Sequence, residues 1–228
     1  PKGLSPVARL SFDEETGKLA VDTSDQGRDN SGRLVGNAKW GQGRLDGAVR
    51  FSGRRDAVTL GKSRDIDLGT HTQRTVSMWF KADKVSGRKA QVIYEEGGRD
   101  RGLNIYLKDD LLHVGGWGGK WKGDWIESNK VKSGKWHHVA LVLDGTGRLK
   151  DDAMTAYLDG NKIDSGQSTK LWGHKDGIGI GNVSGTTRFQ DGTIGRRGQG
   201  LVGSVDEFQV YKSALSANQV QQLSNGFV

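Results

Sequence analysis

Apolar and polar residues alternate along most of this chain, and the alternating runs are separated by glycine or by Asp-Gly pairs. Three such stretches follow one another: Leu45–Leu60 (LDGAVRFSGRRDAVTL), Gly134–Ile163 (with WHHVALVLDG and MTAYLDGNKI) and Leu201–Leu223 (LVGSVDEFQVYKSALSANQVQQL). A period of two places successive side chains on opposite faces and predicts antiparallel β-strands. Asp144-Gly145 and Asp159-Gly160 predict turns or hairpins between them.

The last stretch also predicts a helix, within Leu215–Gly226 (LSANQVQQLSNG). Ser216 is placed to cap it, Gln219 follows at the capping-box spacing, and Gly226 comes just past its end. The run Leu103–Trp117 (LNIYLKDDLLHVGGW) is interpreted as one strand. Many strands with one terminal helix favour a two-sheet sandwich. Since no linker or change of composition interrupts the chain, residues 1–228 are predicted to form one domain.

In their order and in their residues, these stretches resemble the LamG-like jelly-roll domains, which are the laminin-G branch of the concanavalin A-like lectin and glucanase superfamily. The resemblance covers nearly the whole chain. The ordered set of motifs is more specific than any one of them, and Ser204–Val220 (SVDEFQVYKSALSANQV) is similar to the family's closing signature, in which a strand carrying Asp-Glu is followed by a tyrosine and a short helix. It implies an all-β, two-sheet antiparallel jelly-roll sandwich with one short C-terminal helix. It also implies a fold that is used mostly for binding.

The formal net charge of +7 and the pI of about 9.6 favour an anionic partner, such as an acidic polysaccharide, nucleic acid or a charged surface. The chain has no cysteine, so neither disulfides nor thiol chemistry contribute. No apolar stretch approaches the roughly 20 residues of a membrane span.

A tryptophan-rich segment, Gly115–Trp125 (GGWGGKWKGDW), is the first candidate for binding. Trp117, Trp121 and Trp125 are four residues apart, so an extended segment would place all three on one face. Exposed rings beside lysines suit sugar stacking or single-stranded nucleic acid. The alternative is that Trp117 or Trp125 fills the core.

The resemblance further implies that glycans bind on a concave sheet face or on its rim loops. The residues predicted to contact such a ligand are Arg99, Tyr106, Trp121, Trp172, His174 and Arg188. Two alternatives stay open, because Tyr106 could equally belong to the core and His174 could be an ordinary loop residue.

A polar loop that begins at Asp22 offers closely spaced oxygen ligands of the kind that calcium prefers. The resemblance implies one structural calcium ion held by Asp22, Asp25 and Asn30 together with Asp206. Asp25 stands where the family usually has glycine. The alternative is an Asx-turn loop without an ion.

Catalytic motifs of the related glycosidases and lyases are missing, and His137-His138 on one strand would face opposite ways. The sequence therefore predicts a non-catalytic carbohydrate-binding module for an anionic polysaccharide. We expect it to be secreted or on the cell surface, tethered to a catalytic or adhesive domain of a larger bacterial protein. The alternatives are an adhesion or protein-interaction domain, and a polysaccharide lyase or glycosidase of the same fold. Nucleic acid is a less favoured partner.

Overall fold

Short antiparallel strands form the framework of the computed structural model, which describes residues 5–26, 29–119 and 122–226. The first nine strands are β1 (Ala8–Leu10), β2 (Leu19–Ala20), β3 (Gly32–Val35), β4 (Lys39–Gln42), β5 (Gly47–Ser52), β6 (Ala57–Leu60), β7 (Gln73–Ala82), β8 (Gln91–Gly97) and β9 (Gly102–Lys108). The later elements are β10 (Leu111–Gly118), β11 (Lys122–Lys130), β12 (His137–Asp144), β13 (Lys150–Leu158), β14 (Asn161–Ser168), β15 (Ile178–Ile180), β16 (Thr186–Arg188), β17 (Ile194–Arg196), β18 (Val202–Tyr211) and the helix α1 (Ala217–Ser224).

Two sheets face each other across the core. The first sheet has the order β14-β13-β12-β7-β18-β5-β4, with β1 paired to β18. The second sheet has the order β11-β10-β9-β8-β15-β6-β3-β2, and β16 and β17 form a separate ribbon. The predicted all-β, two-sheet antiparallel sandwich with one short C-terminal helix is confirmed.

The period-two pattern of β12 shows how one strand serves two layers. Val139, Leu141 and Leu143 point between the sheets and are fully buried in the main core. Ala140 and Val142 point outward and pack beneath α1. The outer face of the first sheet is therefore apolar where the helix covers it.

The helix begins and ends where the sequence predicts. Ser216 is the N-cap, and its side chain accepts a hydrogen bond from the Gln219 backbone N–H. The Gln219 side chain accepts in return from the Ser216 N–H, which completes the capping box. Asn225 caps the other end, and Gly226 has the positive φ of 80° that ends many helices.

The run from Leu103 to Trp117 is two strands, so the prediction of a single strand is wrong. Asp109 and Asp110 adopt φ values of 54° and 68° and turn β9 back into β10. Short polar residues tolerate this left-handed conformation, and both central residues of a type I′ hairpin require it. The signal was present as a pair of aspartates, without the glycine that usually marks such a turn.

The Asp159-Gly160 hairpin offers a test of this turn chemistry. Gly160 has φ of 78°, and a Cβ added there would meet the Ser224 hydroxyl on α1. We expect Gly160→Ala to lower the free energy of unfolding by roughly 1–2 kcal/mol, measured by urea denaturation. Gly61→Ala is the control, because a Cβ at Gly61 would meet nothing within 4 Å. Equal losses of stability in Gly160→Ala and Gly61→Ala would contradict the view that the turn requires glycine at position 160.

Candidate functional site

A pocket with a volume of about 560 Å³ opens at one end of the sandwich. It is called the rim pocket here and is lined by Leu68, Thr70, Arg99–Arg101, Trp172–Asp176 and Thr186. Apart from Thr186, the first residue of β16, these residues come from three connections: the one between β6 and β7, the turn between β8 and β9, and the one between β14 and β15. The rim pocket is thus built from loops on the rim of the two sheets.

Backbone hydrogen bonds join two of these connections. His71 and Leu171 exchange N–H···O bonds of 2.8 and 2.9 Å, and the His174 N–H donates to the Asp67 carbonyl at 2.8 Å. The Gly173 N–H donates to the Thr70 hydroxyl at 3.2 Å. These bonds fix the position of Trp172, which lies between the bonded residues.

Beneath the rim pocket, a fully buried ion pair connects the two sheets. Arg74 of β7 donates from one nitrogen to both Glu96 carboxylate oxygens on β8, at 2.9 and 2.7 Å. Its other terminal nitrogen donates to the carbonyls of Asp65 and Ile66 at 2.9 and 3.0 Å. His174 Nε2 lies 3.7 Å from the same carboxylate. The Glu96 carboxylate on the second sheet is therefore in contact with Arg74 of the first sheet and lies close to His174 of the rim pocket.

The neighbours of the Glu96 carboxylate keep it in its ionised form. Burial alone would raise the pKa of Glu96, but the Arg74 guanidinium and His174 outweigh it and hold the pKa at about 2. Glu96 is therefore ionised at neutral pH although it is fully buried. By contrast, burial lowers the pKa of His71, which follows the lining residue Thr70 in the chain, to about 4.

The β8–β9 turn presents two arginines to the pocket. Its sequence is GGRDRG, from Gly97 (φ of 100°) to Gly102. Gly98 lies against the Asp176 carboxylate and leaves no room for a Cβ. Arg99 is exposed, and Arg101 donates to the Gly173 carbonyl at 3.5 Å. The glycines allow the tight approach, and the arginines supply positive charge at the mouth.

The structure brings three of the six predicted ligand residues into the rim pocket: Arg99, Trp172 and His174. Arg188 lies behind it, 8% exposed, with Nε donating to the Arg99 carbonyl at 3.4 Å. It supports the turn rather than lining the cavity. Trp121 lies outside the described residues. Arg101 was missed, although the closely spaced arginines of the GGRDRG turn were a usable signal.

Tyr106 requires a correction, because its side chain is fully buried. It stacks on His113 with ring centroids 4.6 Å apart, packs against Phe189 of the β16–β17 ribbon, and accepts a hydrogen bond from the Gln190 N–H at 3.1 Å. Burial raises its pKa well above the ordinary value for tyrosine, so the side chain stays neutral. The alternative of a core residue is the one that these contacts support.

Trp117 and Trp125 share a face, as predicted, but they lie on two strands of a hairpin and not on one extended segment. Trp117 of β10 and Trp125 of β11 stack with centroids 5.6 Å apart. Trp117 packs on Gly102, and Trp125 covers Gly115, where a Cβ would meet the indole. Trp117 is buried and Trp125 is half-buried. Gly102 and Gly115 therefore leave the space in which the two tryptophan rings pack on the sheet.

The histidine pair is structural, because the two rings have separate partners. His138 Nε2 lies 2.9 Å from the Ser77 hydroxyl, and burial lowers its pKa to about 4. His137 Nδ1 lies 2.8 Å from an Asp159 carboxylate oxygen. The two side chains point to opposite faces of β12, as the sequence predicts, and do not form one site.

The predicted calcium ligands are brought together only in part. Asp22 Oδ1 accepts from the N–H groups of Arg9 and Ser24 at 2.9 and 3.0 Å, and Oδ2 accepts from the Asn30 N–H at 2.9 Å. Asp25 is exposed. The hydrogen bond from Ser24 is the Asx turn that forms without an ion.

Asp206 belongs to a different set of contacts. It is fully buried, accepts from the N–H groups of Arg44 and Leu45 at 2.8 and 3.0 Å, and burial raises its pKa to about 7. Within the described ranges, no group of three or more histidine, cysteine, aspartate or glutamate side chains could hold a metal ion. The predicted four-residue set does not fit one ion there, and calcium binding stays a prediction.

A calcium titration followed by thermal unfolding checks that prediction. Binding to the native state alone would raise Tm, since a hundredfold excess of ion over Kd adds about 2.7 kcal/mol. The predicted site requires that Asp22→Asn and Asp206→Asn each abolish the rise, with Asp83→Asn as an exposed control. An unchanged Tm in millimolar calcium and in chelator would contradict it.

The buried ion pair makes a prediction about stability. Glu96→Gln leaves the Arg74 charge buried without its partner, so we expect a loss of about 3–5 kcal/mol in urea denaturation. Asp83→Asn, which breaks the exposed Arg50–Asp83 pair, is the control and should cost below about 1 kcal/mol. The double change Arg74→Met/Glu96→Met should cost less than Glu96→Gln alone. Equal costs for Glu96→Gln and Asp83→Asn would contradict a structural role.

The pH dependence has a defined sign. Since the folded-state pKa of Glu96 lies at about 2, below its ordinary 4.5, ionised Glu96 contributes stability at and above pH 4.5. That contribution is lost as the pH falls from 4.5 to 2. Over this window the free energy of unfolding should fall less steeply in Glu96→Gln than in the wild type.

The two facing antiparallel sheets have the architecture of a lectin-like jelly-roll sandwich, and sequence comparison agrees. The family model Laminin_G_3, of the concanavalin A-like lectin/glucanases superfamily, matches residues 51–221. The chain belongs to this family, as its sequence pattern predicts. No curated protein matched the chain.

Three solved structures have a similar fold, and two of them are binding domains by name. The binding domain of Paraclostridial Mosquitocidal Protein 1 superposes with a TM-score of 0.73 at 18% identity, over 98% of this chain and 52% of that chain. Domain 4 of AbnA, a GH43 extracellular arabinanase from Geobacillus stearothermophilus in complex with arabinotriose, gives 0.64 at 17%, over 97% and 99%. The botulinum neurotoxin serotype D ligand-binding domain in complex with N-acetylneuraminic acid gives 0.68 at 15%, over 97% and 51%.

This chain thus spans about half the length of the two toxin domains and nearly all of the arabinanase domain. At these identities the likeness shows the fold alone. Among the described residues, no helix has the length and apolar character needed to cross a membrane.

Proposed function

We propose that this chain is a non-catalytic carbohydrate-binding domain that holds an acidic polysaccharide at the rim pocket. The observation that carries the proposal is a half-exposed Trp172 in a cavity that also contains Arg99 and Arg101. An indole ring offers an apolar surface to the C–H face of a sugar, and arginines donate paired hydrogen bonds to hydroxyl and carboxylate oxygens.

The site is preorganised for this role. Backbone hydrogen bonds on both sides of Trp172 and the buried carboxylate of Glu96 below it hold the ring and the loop in place before a ligand arrives. A preorganised site avoids the cost of ordering its loops on binding. The volume of about 560 Å³ falls in the range of small-molecule sites and can hold a sugar residue.

The wider context follows from the same hypothesis. The domain acts outside the cell, as part of a larger protein in which another domain supplies catalysis or adhesion. Two of the similar structures support a binding role, since one is a complex with arabinotriose and the other a complex with N-acetylneuraminic acid. The charge of +7 favours an acidic glycan over a neutral one.

Affinity electrophoresis and a glycan array test the proposal. We expect retention by at least one acidic polysaccharide and a loss of about tenfold or more in Trp172→Ala, because stacking area is removed. Trp136→Ala is the matched control, since Trp136 is also half-buried but stacks under Lys81 away from the pocket. Failure of the wild type to bind any glycan would refute the function.

A loss in Trp125→Ala without a loss in Trp172→Ala would place binding on the outer face of the second sheet instead. Thermal unfolding of each variant separates lost contacts from lost structure.

A further inference from the structure

A second, larger pocket lies next to the rim pocket. Its volume is about 780 Å³, and it is called the basic pocket here; its lining includes Arg101, Lys122, Arg148, Leu149, Thr169 and Trp172. Arg101 and Trp172 line both pockets. The two cavities are therefore adjacent parts of one surface, with a tryptophan and an arginine between them.

The two pockets differ in charge. The rim pocket sets Arg99, Arg101 and Lys175 against Asp100 and Asp176. The lining of the basic pocket contains three cationic side chains and no acidic one among the described residues. A fourth cation, Lys170, lies close by: its ammonium sits 4.0 Å from the centre of the Trp172 ring and 3.9 Å from the position of a Cβ on Gly147, a lining residue.

These cations have no ion-pair partner among the residues that the structure describes. None of the ion pairs formed by the described residues includes Arg101, Lys122, Arg148 or Lys170. Lys122 and Arg148 are exposed. Like charges gathered without counter-charges repel one another, and an anion that enters between them relieves this repulsion.

We propose that the two pockets bind neighbouring units of one acidic glycan and divide its recognition between them. The rim pocket takes a hydroxyl-rich sugar against Trp172, and the basic pocket takes the anionic substituent, a sulfate ester or a carboxylate, of the adjoining unit. This inference rests on the proposed function of the rim pocket. It adds that the ligand spans at least two sugars and that its charge is read by Lys122, Arg148 and Lys170.

Matched pairs of oligosaccharides test the division. A sulfated galactan oligomer is compared with its desulfated form, and an oligogalacturonate with its methyl ester, by isothermal titration calorimetry. In the double variant Lys122→Gln/Arg148→Gln we expect the charged member of the preferred pair to bind on the order of tenfold or more weakly. The uncharged member should bind as it does to the wild type.

Two further readouts separate charge recognition from lost structure. The affinity of the wild type for the charged oligomer should fall between 50 and 500 mM salt, and the double variant should flatten that dependence because fewer charges are screened. Arg33→Gln, which changes an exposed side chain of β3 outside both pockets, is the control and should change neither affinity nor salt dependence. Dimers should bind more tightly than monomers of the same charge.

The outcomes are distinguishable. If the double variant binds the charged oligomer like the wild type while Trp172→Ala loses it, the division is wrong and the proposed function stands. If the wild type binds neither member of any pair, the proposed function itself is wrong. If single-stranded oligo(dT) binds more tightly than any glycan and the double variant loses it, the basic pocket is a nucleic-acid site and the saccharide assignment is overturned.

Discussion

The buried ion pair between Arg74 and Glu96 is the interaction on which the binding end of this domain depends. It joins a strand of the first sheet to a strand of the second inside the core. Two full charges in an apolar interior are costly unless each is surrounded by partners. Here Arg74 meets that condition with a carboxylate and two loop carbonyls, and the loops that supply those partners are the ones that shape the rim pocket.

This arrangement explains how a pocket can be built from loops and still be well defined. Loops at the end of a sandwich lack the ladder of hydrogen bonds that orders a sheet. In this chain the ladder is replaced by the His71–Leu171 bridge, by side-chain hydrogen bonds and by contact with a fixed buried charge. The aromatic and cationic groups above are presented on a support whose position the ion pair sets.

The outer sheet faces show why the rim offers the more accessible site. On the first sheet, α1 covers part of the apolar surface. On the second sheet, the β16–β17 ribbon brings Phe189 onto Tyr106, and Trp117 and Trp125 lie over glycines of their neighbours. Side chains that the sequence makes attractive as ligand contacts are in these places used for packing. Trp172 and Arg99 lie instead in loops at the ends of the strands, where the rim pocket opens.

The sequence by itself determined the fold class, the capped helix and most strands, because period-two alternation, turn residues and the capping box are local signals. It also marked Arg99, Trp172 and His174. Only the tertiary structure decided that Tyr106 is buried, that Arg188 supports a turn, and that Asp22 and Asp206 have separate partners. The Arg74–Glu96 pair and the basic pocket were also visible only in the tertiary structure. Burial and charge pairing depend on which strands become neighbours across the sandwich, and such distant pairings leave no periodic trace in the chain.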